Sequence, residues 1–357
     1  MKKVLAASVL FCLLFCKQNV QESYSTQIIG DWESISNKID EEIPNEFFNT
    51  KGYSFLPDGT CEVKGGIINH ASNRWQFLNP ETKYTLTRDK LRIFDPGYNK
   101  WASYHIKELS DTTLVLDNIT FVKKNFNLDK SPDFDAVIVA SSGCFGYCPV
   151  NEIMIDKNGG VSYHGHVNNL SNGSFVSTVS RQRYKKIMLA FKKADYLHLQ
   201  PDYSDSVTDH SVISISFIKD GRIIKSISDY AQSSPQDFIW AYNYLTYLSP
   251  QLTLTPMAAA KEYFNASLYT AFESKEALLR LTGAESFFLL NELKKSKEVF
   301  DNFHELYTLS HYYGADKIST DGRYYRLQFS DKTVKTLDLG YNFLTQKFVN
   351  QFKKKNE

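Results

Sequence analysis

Between residues 27 and 124, a turn signal follows almost every short apolar or alternating run, and this pattern constrains the fold more than any other feature of the sequence. The clearest turn is Pro57-Asp58-Gly59, and roughly eight to nine runs of strand length can be counted. No segment demands a long helix. We therefore expect an antiparallel meander. Because a meander loses its exposed edges only by closing on itself, the pattern predicts a β-barrel.

Three short motifs in this region resemble the bacterial lipocalin-like domains. They are Gly30-x-Trp32, the turn at residues 57–60 and the closing segment at 121–124. The resemblance implies that Trp32 packs across the barrel floor near a basic residue of the last strand, Lys123 or Lys124. It also implies a cup for a small apolar ligand. The candidate lining residues are the aromatic side chains Trp32, Phe55, Trp75, Phe77 and Tyr84. The alternative is that aromatic rings fill the barrel themselves.

The first residues have the pattern of an export signal. Lys2 and Lys3 precede an apolar run from residue 4 to residue 15, which is too short to span a bilayer of about 30 Å. Residues 13–16 resemble a bacterial lipobox, with Phe15 where that family prefers a small residue. The resemblance implies cleavage after residue 15 and a lipid on Cys16, followed by a linker at 16–26. We expect a protein that is lipid-anchored to the outer membrane and faces the periplasm or the cell surface. An ordinary secretory signal or an uncleaved anchor is the alternative.

Residues 133–252 predict an α+β domain. The expected elements are strands at 135–140, 152–156, 161–166 and 175–179, a helix at 181–193, a hairpin of 211–218 and 223–229, and a helix from 235 to 248. The segment at 142–150, the strand beginning at Gly160, and the helix beginning at Pro235 resemble a bacterial family of unknown function, DUF6438. Its pattern is Cys-x-Gly-x-Cys-Pro. This chain departs from the pattern at Asn151, where an aromatic residue is expected, and the family implies no activity.

Cys144 and Cys148 permit three interpretations. They form a structural disulfide in an oxidising compartment, they act as a redox pair, or they bind a metal together with His164 and His166. The Cys-x-x-x-Cys spacing differs from the Cys-x-x-Cys of thioredoxin-like sites. A disulfide in so short a loop contributes little chain entropy, so its role would be to hold a local shape.

Asp209 and His210 lie in a polar loop that also contains Asp202 and Asp205. The side chains of such loops commonly form hydrogen bonds with the backbone groups of their own turns. The functional interpretation is a polar site beside the cysteine loop, in which Asp209 orients a neighbouring group.

Residues 257–352 predict a helical region up to about residue 302, a hairpin at 323–329 and 333–339, and a terminal helix at 343–352. The order of these elements repeats that of residues 181–248, which suggests an αββα half-repeat. Two unrelated pieces of the same order are the alternative. The expected fold class is thus β-rich and α+β.

The composition and motifs favour a binding protein. A formal net charge of +1 gives no electrostatic reason to expect nucleic acid as a partner. No serine-hydrolase elbow, zinc-protease motif or phosphate loop occurs, so we predict no catalytic activity and no cofactor. The expected partners are the membrane, through the lipid anchor, and a small hydrophobic ligand or an envelope protein. A redox or metal-handling envelope protein centred on Cys144 and Cys148 is the alternative.

Overall fold

The computed structural model describes residues 24–35, 52–69, 77–257, 270–310, 315–344 and 351–355. The chain divides between Asn127 and Leu128 into two compact units. Helices α1, α2 and α3 are Arg181–Lys193, Gln236–Thr246 and Gly283–Lys295. None of the helices in these ranges is long and apolar enough to cross a membrane.

The strands of the first unit, β1 to β10, are Gly30–Ser34, Gly52–Phe55, Thr60–Val63, Ile67–Ile68, Phe77–Leu78, Glu81–Leu86, Lys90–Asp95, Lys100–Leu109, Thr113–Leu116 and Ile119–Lys123. Eight of them close into an antiparallel barrel in the order β1-β10-β9-β8-β7-β6-β3-β2, and β4 pairs with β5 separately. The predicted barrel is confirmed. Its strands follow one another along the sequence because consecutive hairpins provide each strand with its neighbour.

The barrel closes around Trp32. This residue is fully buried, and its indole nitrogen donates a 2.7 Å hydrogen bond to the carbonyl of Ile28. The ammonium of Lys123 lies 5.2 Å from the Trp32 ring centre and donates to the carbonyl of Gln27. Gly30 has a φ of +127°, and a Cβ there would lie 2.8 Å from Cε of Lys123. The Gly-x-Trp spacing therefore makes room for the lysine that covers the tryptophan.

The strands of the second unit, β11 to β26, are Ala136–Ser141, Val150–Asp156, Gly160–Val167, Gly173–Thr178, Asp202–Tyr203, Val212–Lys219, Arg222–Tyr230, Thr255–Pro256, Ala271–Glu273, Ala277–Arg280, Lys297–Val299, Tyr307–Ser310, Lys317–Thr320, Tyr324–Gln328, Val334–Asp338 and Lys353–Lys354. They form two eight-stranded sheets. The first has the order β15-β17-β16-β11-β12-β13-β14-β18, and the second has the order β21-β25-β24-β23-β22-β19-β20-β26.

Central strand β11 is apolar throughout because both faces of its sheet are covered. Val137 and Val139 pack with α1 and α2, whereas Ile138 and Ala140 pack with α3 and the second sheet. All six residues of β11 are buried. A strand covered on both faces gains burial at every position, which explains the continuous apolar run in its sequence.

Helix α3 lies between the two sheets, and its residues 287–290 are all buried. Four consecutive residues of a helix point to nearly all of its sides, so this apolar stretch is stable only when it is enclosed. Its first turn is closed by a capping box between Thr282 and Glu285. Ser214 of the first sheet accepts a 3.0 Å hydrogen bond from the backbone nitrogen of Ala284, so α3 is also attached to that sheet by a polar contact.

The C-terminal region differs from the prediction. Residues 271–273 and 277–280 form strands β19 and β20, where a continuous helical region was expected, and the described helix is limited to α3. The predicted hairpin is present as β24 and β25. The predicted αββα half-repeat does not account for the other strands of this sheet. The predicted terminal helix lies largely outside the described residues, which here resume with residue 351.

Candidate functional site

Four loops meet at one end of the first sheet of the second unit, and we call this region the loop end. It comprises residues 142–149, 168–172, 204–211 and 231–235. The strand registers bring them together, because Ser141 is opposite both Asn151 and Ile213, while Val212 is opposite Tyr230. Loops at the end of a well-packed sheet are held by a rigid scaffold, which suits them for binding.

A disulfide joins Cys144 and Cys148 across five residues of the loop end, as the first interpretation of the sequence predicted. The flanking residues are tied to the sheet. Ser141 donates from its hydroxyl to the carbonyl of Pro149 at 2.9 Å, and Ser142 exchanges hydrogen bonds with Val212. The base of the loop is therefore held independently of the disulfide.

Two aromatic residues lie between the bonded cysteines, and their side chains point into solvent. Phe145 is 87% exposed and Tyr147 is 90% exposed, whereas Cys148 is buried. The backbone nitrogen of Phe145 donates to the carbonyl of Asp209 at 3.0 Å. On the other side, the side-chain amide of Asn168 donates to the carbonyl of Cys148 at 3.1 Å. Two neighbouring loops thus hold the disulfide-closed loop in position.

The structure places Asp209 and His210 beside the cysteine loop. The contact uses the backbone carbonyl of Asp209, while its exposed carboxylate accepts a 3.4 Å hydrogen bond from the hydroxyl of Thr208. Tyr230 supports the same loop, because its hydroxyl donates to the carbonyl of Val207 at 3.0 Å. Asp209 therefore helps to position the cysteine loop through its backbone carbonyl.

His164 and His166 belong to a second polar cluster, which lies on the α3 face of the sheet. The imidazole of His166 lies 2.9 Å from both carboxylate oxygens of Glu152, whose side chain is 1% exposed. His164 is directly opposite Glu152 in the register and bonds the hydroxyl of Ser174 at 2.7 Å. The two imidazole rings lie 4.5 Å apart. These groups bind one another across three neighbouring strands.

Burial governs the protonation of this cluster. It raises the pKa of Glu152, and the hydrogen bond from His166 acts in the opposite direction. Burial also lowers the pKa of His164 to about 4, with a smaller contribution from His166. Lys294 of α3 has its pKa lowered by burial and is attracted to Glu152. The arrangement places several ionisable groups, Glu152, His164, His166 and Lys294, close together at the sheet–helix boundary.

Sequence reasoning missed Glu152, Ser174 and Lys294. The available signal was the acidic residue Glu152 directly before the apolar run 153–155, since a buried carboxylate requires a partner. For the metal interpretation, the described residues contain no group of three or more His, Cys, Asp or Glu side chains that could hold an ion. Both cysteines are engaged in the disulfide, and a disulfide offers no thiolate ligand.

A small cavity lies where β11 and β16 meet the start of α3. Its volume is about 120 Å³, and its polar lining includes the hydroxyl groups of Ser142, Ser214 and Ser228. Pockets for small-molecule ligands usually measure roughly 300–1,000 Å³. This cavity is of a size for a few water molecules.

The barrel residues proposed for an apolar ligand are distributed as follows. Trp32 and Phe55 are fully buried in the core of the barrel. Tyr84 packs edge-on against Phe55 at 5.0 Å and donates from its hydroxyl to the carbonyl of Leu56. Phe77 begins β5. Trp75 and the lipidation candidate Cys16 lie outside the described residues.

Comparison with protein families gives one match. Residues 135–249 match a family described as a domain of unknown function, DUF6438. The predicted resemblance is therefore confirmed over these residues, which contain the whole loop end as well as Glu152, His164 and His166. No curated protein and no solved structure matched the chain.

Proposed function

We propose that this chain is an exported, lipid-anchored cell-envelope protein that acts by binding another envelope protein, without catalysing a reaction. The observation that carries the proposal is the exposure of Phe145 and Tyr147 on the disulfide-closed loop. Burying a large apolar side chain contributes about 1.5–3 kcal/mol, so covering both rings would contribute roughly 3–6 kcal/mol. Aromatic residues on a well-held surface are the usual anchors of protein interfaces.

The disulfide strengthens this argument. A flexible loop would lose conformational entropy when it docks, and this loss would offset part of the gain from burying the rings. The bond between Cys144 and Cys148, with the contacts to Asp209 and Asn168, removes most of that freedom beforehand. The loop end is therefore preorganised for binding.

The envelope location rests on the sequence of residues 1–16 and on the compartment that a disulfide prefers. Disulfides persist in secreted and periplasmic proteins and are rare in the cytosol. The proposal places the partner at the loop end. A small apolar ligand in the barrel is the less supported site, because Trp32 and Phe55 are enclosed in the barrel core.

A redox role is the second candidate, and the unequal exposure of the two sulfur-bearing residues favours it. Cys144 is partly exposed, whereas Cys148 is buried. Thiol exchange begins with attack on an accessible sulfur. Titration of the protein against glutathione buffers tests this role. A structural disulfide has a reduction potential well below that of the compartment and stays oxidised, whereas a redox pair is reduced near the potential of the compartment.

Site-specific photo-crosslinking tests the binding proposal. A benzoyl-phenylalanine is placed at position 147 of the full chain in living cells, and the matched control carries it at Phe300, which is fully exposed on the same unit but outside the loop end. We expect one envelope protein to be captured from position 147 and not from position 300. Equal capture at both positions, or none at either, would refute the proposal.

A further inference from the structure

The loop end carries an uneven distribution of charge. None of its four loops contains a lysine or an arginine, whereas Asp205 and Asp209 are both exposed and Asp202 is exposed on the adjoining strand β15. These three carboxylates form no ion pair within the described part of the chain. Lys157 and Lys219 of the same sheet lie at its opposite end, where both approach Asp135. The loop end that carries the exposed aromatic rings therefore bears acidic and no basic side chains, and Asp209 is adjacent to Phe145 through its backbone.

The faces of Phe145 and Tyr147 are available. Neither ring contacts another ring or a cation among the residues that the structure describes, and the exposed side chains Leu170 and Val207 extend the apolar surface. An aromatic ring attracts a cation to its face, and arginine is the most frequent partner. A carboxylate beside the ring adds a charge-assisted hydrogen bond to the same cation.

Elsewhere in the same unit, an arginine side chain contacts an aromatic ring and a carboxylate at the same time. Arg326 lies 4.9 Å from the ring centre of Phe303 and forms a 2.8 Å ion pair with Glu305. Arg323 lies 5.0 Å from the ring centre of Tyr324 and binds both carboxylate oxygens of Asp338 at 2.9 Å. In both cases one guanidinium satisfies a ring and a carboxylate together. The loop end presents the ring and the carboxylates without the cation.

We infer that the loop end binds a segment of the partner polypeptide that bears arginine and lysine side chains. The inference rests on the proposed function and names the chemistry of its partner. The cationic groups lie over Phe145 and Tyr147 and pair with Asp205 and Asp209, while their aliphatic stems cover Leu170 and Val207. An anionic lipid surface is disfavoured at this site, because the carboxylates would repel its phosphates.

Binding of defined peptides to the purified full chain provides the direct test. Two fluorescein-labelled dodecapeptides, one of alternating arginine and glycine and one of alternating glutamate and glycine, are compared by fluorescence anisotropy. Vesicles containing anionic lipid serve as the third probe. We expect saturable binding of the arginine peptide alone, and weaker binding at about 300 mM than at about 50 mM NaCl, since salt screens exposed charges.

Two pairs of substitutions locate the binding. The double substitution Phe145→Ser/Tyr147→Ser is expected to lower the affinity for the arginine peptide about tenfold. The double substitution Asp205→Asn/Asp209→Asn is expected to lower it about fivefold. These side chains are exposed, so the fold tolerates both pairs. The matched control Phe300→Ser removes an equally exposed ring beside Asp301 and is expected to change nothing. Equal binding of the glutamate peptide, ring-dependent vesicle binding, or insensitivity to both pairs would overturn the inference.

The cross-linking experiment separates this inference from the proposed function. If position 147 captures a partner through a segment rich in arginine and lysine, and the Asp205→Asn/Asp209→Asn variant lowers the yield, both proposals are supported. Capture through a segment without basic residues, at a yield that the asparagine pair does not change, overturns the inference and leaves the proposed function standing. Failure to capture a partner above the level at position 300 overturns the proposed function itself.

Discussion

Removing the disulfide tests the idea that it mainly holds a local shape and adds only the stability expected of a short ring. We consider the double substitution Cys144→Ala/Cys148→Ala. The bond closes a ring of residues separated by four positions, and for so small a ring the chain-entropy relation gives a stabilisation of about 2 kcal/mol. The hydrogen bonds of Ser141 and Ser142 to their neighbours remain in the variant. We therefore expect the second unit to fold normally and its free energy of unfolding to fall by about 2 kcal/mol.

The local effect is expected to be larger than the global one. The amide of Phe145 is held by the carbonyl of Asp209. Without the covalent ring this hydrogen bond opens more often. A global loss of about 2 kcal/mol raises hydrogen exchange in β11 and β16 by at most about 30-fold, and we expect a larger rise in residues 142–150. The arginine peptide should bind several-fold more weakly, because the loop must then be ordered on binding.

Calorimetry and hydrogen-exchange mass spectrometry provide the measurements. For a unit of this size a loss of about 2 kcal/mol lowers the unfolding temperature by roughly 4–8 °C. Cys61→Ala is the control, because this free, buried cysteine lies in the barrel and should leave the second unit unchanged. Reduction of the unaltered protein should reproduce the double substitution. A loss above about 4 kcal/mol, or unchanged exchange at residues 142–150, would refute the reasoning.

Further predictions concern the buried polar groups. Asp229 is fully buried and accepts a 2.8 Å hydrogen bond from the hydroxyl of Tyr242, so Asp229→Ala should destabilise the second unit by about 3–5 kcal/mol in urea unfolding; a loss below about 1 kcal/mol would contradict this. Burial lowers the pKa of His164 from 6.5 to about 4, so the unfolded chain takes up a proton first and stability falls as the pH drops through this window. His164→Gln should recover about 1 kcal/mol at pH 4.5 relative to pH 7 in thermal melts, and an unchanged pH dependence would contradict the assignment. Lys123→Met should lower the stability of the barrel by about 1–2 kcal/mol in calorimetry and Lys124→Met by less, because only Lys123 covers the buried tryptophan; equal losses would contradict this account.

Local chemistry explains which parts of the site were predictable. The disulfide follows from two cysteines four positions apart in a glycine-containing loop, and the sequence already displays both aromatic residues between them. The partners of His164 and His166 depend on strand register instead. Glu152 lies opposite His164 only because β12 and β13 pair in one alignment, and a shift of one residue would move the carboxylate to the other face. The turn between these two strands sets that alignment, whereas the approach of Lys294 on α3 depends on tertiary packing.

The same distinction separates the folds of the two units. Period-two alternation and closely spaced turns determined the barrel, because each of its strands pairs mainly with a sequence neighbour. Residues 277–280 contain good helix formers and still form β20, since pairing with β19 outweighs an intrinsic preference worth a few tenths of a kcal/mol per residue. The sequence by itself determined the barrel and the order of elements in residues 135–249, and it gave the disulfide as one of three interpretations of Cys144 and Cys148. Only the tertiary structure decided that α3 lies between two sheets and that four loops meet at one end, because burial and strand register join residues far apart in the chain.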